Sequence, residues 1–399
     1  MNLLLRIFAP FAAGYYLSYL LRNVNAVIAP ELTRDLGVSA ADLGLLTSAY
    51  LLAFGAFQLP LGILLDRYGP RRVEAGLLLV AAAGCGAFAL GGNLTELAIA
   101  RGLIGLGVSA CLMASFKAFS LWFPAERQAS LNAAVMAAGG LGALTATTPI
   151  GWLLPVTGWR GIFFGLAGLA ALMAAVIFTT PDKPSAAGKE SLGQQLKALG
   201  EILRSRVFWR FAPQTAAIVG GFMAMQGLWA VPWLMNVNGA SRESAAFHML
   251  LTSGAMLTGF IAIAAFVNRL KHRGIHPEQI LTVGMGVGIL ATALIVFDLA
   301  PSHLLWFVLG LVFSVGNLAY ALLTAHFPVQ ISGRANTALN LAAFVGAAGL
   351  QWGFGILLDA LKATGMATPE AFRWTYGLLL VMQALAWGWF LVGRKAVNQ

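Results

Sequence analysis

Apolar residues fill this chain in windows long enough to cross a bilayer as helix, which takes roughly 20 residues. They lie near 5–28, 43–65, 73–91, 97–121, 129–154 and 160–180, and again near 208–234, 244–266, 279–299, 303–327, 336–358 and 371–393. The pattern predicts an all-α polytopic membrane protein with twelve transmembrane helices. Connections run to a handful of residues except between the sixth and seventh, so no soluble domain fits.

The windows fall into two halves, 1–180 and 207–399, that echo each other. Phe8-Ala9-Pro10 opens the first helix as Phe211-Ala212-Pro213 opens the seventh, and Phe123-Pro124 closes the fourth as Phe327-Pro328 closes the tenth. Two related six-helix bundles can rock about a site at their interface and expose it to each side in turn. Between them, 181–206 reads as a linker: Pro181 to Gly188 breaks the helix, Ser191 is a candidate N-cap, and Leu192, Leu196, Leu199 and Leu203 share one face of an amphipathic helix.

Composition agrees with a bilayer: 59% of residues are hydrophobic and 10% charged, where soluble domains are about 25% charged. The net charge of +10 raises the question of a polyanionic partner. With both termini cytoplasmic, seventeen Lys and Arg fall on the inner side against six on the outer, Arg101 among the six. That is the positive-inside asymmetry, so the charge reports topology and not nucleic acid. Cys85 and Cys111 both fall in apolar windows, with neither disulfide nor metal-ligand spacing. The first window reads as a retained helix, since no small-residue cleavage pattern ends it.

Between the second and third windows stands Gly62-Ile-Leu-Leu-Asp66-Arg67-Tyr68-Gly69-Pro70-Arg71-Arg72. In the form G-x-L-x-D-R-x-G-x-R-R it resembles the loop between helices 2 and 3 of the major facilitator superfamily of transporters. The resemblance implies two six-helix bundles, alternating access and a gate in which Asp66 faces the N-terminal end of helix 11, where exposed N–H groups favour an anion. Gly62, Asp66, Arg67, Gly69, Arg71 and Arg72 are the implied gating residues. The second half keeps the charge in Val267-Asn268-Arg269-Leu270-Lys271-His272-Arg273-Gly274 but loses the acid and the glycine spacing. Asn268 and Arg269 are therefore weaker counterparts.

Ionisable side chains in hydrocarbon are costly unless they face protein or water, so intramembrane polar residues are the candidates for chemistry. Tyr15, Ser18, Arg22 and Asn25 share one face of the first helix. Arg22 is too deep to reach an interface easily. The run from Arg22 to Leu32, then Asp35-Leu36-Gly37-Val38-Ser39, resembles the first helix and loop of the anion:cation symporter branch. In that branch the helix 1 arginine contributes to binding organic anions, and Arg22 is the matching position. The chain departs where those symporters often carry an acid beside the arginine, here Leu21, and where a helix 4 glutamate is expected after Arg101-Gly102.

Lys117 lies about six residues from the end of the fourth helix, where it either binds substrate or snorkels. Alignment of the Phe-Ala-Pro anchors sets Arg22 near Gln226, with Trp229 and Trp233 on that face as an apolar wall, or as packing. Tyr50, Asn317, Tyr320 and Asn340 complete the substrate candidates, though Asn and Gln also simply bond neighbouring helices. Every acid is expected at a helix end or in a loop, so no carboxylate is expected at the bilayer centre.

These residues point to a carrier for a small organic anion, a carboxylate first, coupled to protons or to a counter-anion. The alternative is a proton-driven exporter of hydrophobic drugs. Exporters of that kind carry G-x-x-x-G-P-x-x-G-G in helix 5, of which Gly142 to Trp152 keeps the proline and loses most of the glycine frame. No nucleophile–base pair, phosphate loop or metal spacing suggests an enzyme, no cofactor is expected, and a monomer in the bacterial inner membrane is the expected form.

Overall fold

The computed structural model describes residues 4–183 and 192–397, which are helical nearly throughout. Two compact units divide the chain, Met1–Leu192 and Gly193–Gln399. Among the described residues ten helices are long and apolar enough to cross a membrane.

In the first unit a π-helical turn at Leu4–Phe8 leads into α1 (Ala9–Leu36), which starts on Pro10 and stops at Gly37, whose left-handed φ of 64° caps it. Ser39 then opens α2 (Ala40–Leu90): its hydroxyl accepts the Asp42 N–H, and the Asp42 carboxylate accepts the Ser39 N–H. This reciprocal cap accounts for one of the chain's few acids. At 1.5 Å per residue a straight helix of this length would reach about 76 Å, more than twice a hydrocarbon core of about 30 Å. It is not straight. Gly69, at φ 77° and ψ 159°, breaks it, so the windows at 43–65 and 73–91 are the two limbs of one bent element.

After Asn93, whose side chain accepts the Glu96 N–H, come α3 (Leu94–Gly107) and α4 (Cys111–Trp122). The window at 129–154 divides at Ala146-Thr147, between α5 (Ala125–Thr145) and α6 (Thr148–Phe178), and α6 bends at Gly158, φ 65°. Hydropathy registers apolar length but not φ, which is why it separates some elements the backbone joins and joins others the backbone separates.

The second unit opens with α7 (Leu192–Arg204). The expected breaker from Pro184 and the Ser191 cap lie outside the described residues. α7 docks through Ile202, fully buried with Phe208, Phe211, Leu281 and Phe390, and through Leu199 beside them, whereas Leu203 is exposed. The buried stripe is thus rotated from the predicted leucine face. Residues 206–236 form α8 (Arg206–Gln214), α9 (Gly220–Ala224) and α10 (Ala230–Asn236), joined by π-helical turns at Thr215–Val219 and Met225–Trp229. Then follow α11 (Arg242–His272), α12 (Pro277–Val296), α13 (Ser302–Gly316), α14 (Leu318–Thr324), α15 (Val329–Ala363) and α16 (Thr368–Val397).

Two cations counted by position as loop charges are instead interior. Arg101 lies seven residues into α3 and has no exposed surface. Arg210 is 4% exposed, with Nη2 on Glu278 Oε1 at 2.5 Å and Nε on the Phe390 carbonyl at 3.1 Å. Helix starts decided both, because a boundary moved by a few residues carries a charge from the rim into the core.

Candidate functional site

The face of α1 predicted to carry chemistry does assemble, but its members differ. Tyr15 donates to Met136 Sδ at 3.7 Å, Ser18 to the Val108 carbonyl at 3.4 Å, and Asn25 Nδ2 to Thr47 Oγ1 at 2.9 Å. These three are buried and bond α1 to α5, to the α3–α4 junction and to α2. Arg22 alone of the four is half-buried. Its guanidinium carbon stands 4.8 Å from the ring centres of both Tyr19 and Phe54.

Tyr50 of α2 joins Arg22 to Arg101. Its hydroxyl accepts from the Arg22 side chain and donates to the Ser18 carbonyl at 3.3 Å. Arg101 lies over the Tyr50 ring at 4.9 Å, and its Nη1 donates to the Leu21 carbonyl at 3.2 Å. Arg101 Nε and Nη2 have no hydrogen-bond partner among the described residues. Two guanidiniums therefore converge on one buried tyrosine, in surroundings where charges act strongly. Arg101 escaped the sequence reading because it was counted with the outer loop charges. Its position seven residues after the Leu94 helix start was the signal that could have found it.

The hinge forms a separate network at the Gly69 bend. Asp66 Oδ1 accepts from Lys117 Nζ of α4 at 2.7 Å. Arg71 Nη2 and Arg72 Nε reach Asp182 Oδ2 at 3.0 and 3.8 Å, and Arg71 Nη1 donates to the Thr180 carbonyl at 3.1 Å. Arg67 is exposed and stacks on Tyr68. Lys117 is thus brought to the hinge acid and not to Arg22. Gly62 lies in regular helix with open space around it.

In the second unit, Gln226 Nε2 donates to Ser253 Oγ at 3.2 Å, on the π-helical turn that also carries Trp229. Trp229 and Trp233 are 3% and 0% exposed. Trp229 Nε1 donates to the Gln351 carbonyl at 3.1 Å, and Trp233 stacks 4.3 Å from Tyr376. These rings pack within their own unit. Tyr320 donates to Asn340 Oδ1 at 3.2 Å, bringing two candidates together, while Asn317 is exposed at the α13–α14 junction. Arg269 stacks on Phe266, and the Asn268 side chain lies outside the described residues.

One acid stands near a helix end, as expected from its position, yet is buried. Glu74, five residues past the Gly69 bend, has no exposed surface, and its carboxylate lies against the Cys111 thiol of α4 with no cation beside it among the described residues. The bend turns the second limb of α2 back into the unit and carries Glu74 inside with it.

Long apolar helices in two units, a charged hinge and a buried cationic pair define a membrane transporter scaffold. The chain matches the family model of the Major Facilitator Superfamily over residues 11–356, and it belongs to that superfamily. It is therefore an integral membrane protein. It is 30% identical over 216 residues to the hexuronate transporter of Escherichia coli (strain K12), so the match spans about half the length of that relative and 50% of this chain. It is 27% identical over 400 residues to the 4-hydroxybenzoate transporter PcaK of Acinetobacter baylyi, covering 86% of this chain and 85% of that one. Among solved structures, a bacterial homologue of the human lysosomal transporter Spinster, inward-facing and occupied, has a TM-score of 0.76 at 16% identity, covering 98% of this chain and 96% of that one. At such identity the likeness concerns the fold alone.

Proposed function

We propose that this chain is an alternating-access carrier that moves a small organic anion, a carboxylate, across the bacterial inner membrane by proton-coupled symport or anion exchange. It would do so as a monomer of twelve crossings with both termini cytoplasmic. The observation that carries the reading is the pair of guanidiniums about Tyr50. Arg22 is half-buried and flanked by rings, which suits a carboxylate on a compact organic body. Arg101, held by the Leu21 carbonyl, adds a fixed positive field behind it. Such a site repels cationic drugs. The hexuronate and 4-hydroxybenzoate for which two relatives are named are organic anions, which supports the same class.

The test is counterflow in proteoliposomes loaded with galacturonate, glucuronate or 4-hydroxybenzoate, with glucose and a cationic dye as controls. Exchange of at least one carboxylate but neither control is the expected result. Exchange of the dye or the sugar with no carboxylate moving would overturn the reading.

In this mechanism Asp66 and Lys117 hold the hinge in one of its states. Their side chains are 42% and 30% exposed, and an ion pair of that kind contributes about 0–1 kcal/mol. Asp66→Asn and Lys117→Met should each slow uptake by at most about fivefold, and the double variant should be no slower than either single one. Losses that multiply in the double variant would mean the two residues act separately.

A further inference from the structure

Glu74 is the buried acid that the transport site leaves unused. It stands against Gly14 of α1, where a Cβ would overlap Glu74 Oε1, and its polar neighbour is the Cys111 thiol of α4. α6 adds only the apolar Ile177 there, and no other titratable or charged group of the described residues is placed on it from α1, α4, α6 or the rest of α2. An ionised carboxylate shut off from solvent with no cation beside it is costly in such a place. A carboxylic acid is tolerated there, so the geometry favours the protonated form in this arrangement of the helices.

We propose that Glu74 is the proton-carrying group of this transporter, neutral while α1 lies against it and ionised when α1 moves away. The inference rests on the organic anion reading above and names its coupling ion. α1 carries both Gly14 and Arg22, eight residues apart (22 − 14), about 12 Å along the helix. Release of the proton requires water at Glu74, and water requires α1 to separate from the second limb of α2. The same displacement moves Arg22. Proton and anion thereby depend on the position of one helix. A proton carried with a monovalent anion also cancels the charge moved, which removes the penalty of about 2.3 kcal/mol per 100 mV that an anion meets when entering a negative interior.

Glu74→Gln keeps the shape of the neutral acid and cannot release a proton. In proteoliposomes the parent is expected to accumulate labelled galacturonate when the outside is acid, and to take up protons on substrate addition, read with a trapped pH dye. Glu74→Gln is expected to keep counterflow at equal pH within about twofold of the parent while losing both gradient-driven accumulation and proton uptake. A variant that still accumulates against the gradient like the parent, or a parent indifferent to the gradient, overturns the proposal.

Infrared spectroscopy separates this failure from failure of the substrate reading. If no carboxylate exchanges in the parent, the substrate reading fails, while the parent should still show the C=O stretch of a protonated carboxyl at neutral pH. That band is expected to vanish in Glu74→Gln, or to shift in Glu74→Asp should the glutamine variant fail to fold. A parent lacking the band, or a band unchanged in these variants, refutes the proposal whatever the substrate.

Discussion

Arg22→Gln is expected to lower counterflow of the transported carboxylate by about thirtyfold to several thousandfold. Truncating one partner of a desolvated charge pair costs about 2–5 kcal/mol, and each 1.36 kcal/mol is tenfold. Glutamine keeps much of the length and some hydrogen bonding but removes the charge. Arg22→Lys should recover part of the loss, since lysine restores the charge without the planar fork that pairs with a carboxylate in two places. The loss should appear in exchange rate and apparent affinity while the protein still elutes as a folded species. An Arg22→Gln variant exchanging at the parent rate would remove this arginine from the substrate site and shift attention to Arg101.

Gly69→Ala is expected to carry the second large effect, on the fold itself. With φ 77° and ψ 159°, Gly69 occupies backbone space that is essentially reserved for glycine, and a side chain there costs about 1–3 kcal/mol. The bend cannot be spared, because it reverses a 51-residue helix and sets Asp66 and Arg71 beside their partners. Thermal unfolding of the purified protein should show a clear drop in midpoint for Gly69→Ala. Gly62→Ala is the control: it lies in regular helix with nothing near the added Cβ and should leave the midpoint almost unchanged. Equal effects at both positions would show that loss of helix flexibility, and not the left-handed bend, is what the protein feels.

The two predictions differ in how far the chain's own pattern reaches. That Arg22 is special follows from one charge deep in an apolar window, a statement about local sequence that needs no partner. The face it shares with Tyr15, Ser18 and Asn25 also followed from helical spacing. That those three are bonded to neighbouring helices and Arg22 is the accessible one required the packing. The pairing of Asp66 with Lys117 joins positions 51 apart, and no spacing rule connects them. Trp229 and Trp233 were placed on a candidate wall by periodicity, yet stacking and an indole hydrogen bond hold them inside the second unit.

Depth does not follow from position within an apolar window. Arg101 and Glu74 both stand near the rims of their apolar windows, where a charge is inexpensive, and both are fully buried. Their burial depends on where a cap starts a helix and where a glycine bends one. A shift of one helical turn is about 5.4 Å, a sizeable part of the path from interface to core. Burial within such a distance cannot be read from hydropathy averaged over about 20 residues.

By itself, then, the sequence determined that the protein lives in a bilayer, carries a charged, glycine-containing loop at 62–72 and keeps an arginine in its first apolar window, because transfer free energy and helix period act locally along a chain. Only the tertiary structure decided which charges meet. It set Arg101 behind Arg22, gave Lys117 to Asp66 and enclosed Glu74 against Gly14, because electrostatic partners and desolvation depend on distances between helices that the order of residues does not contain.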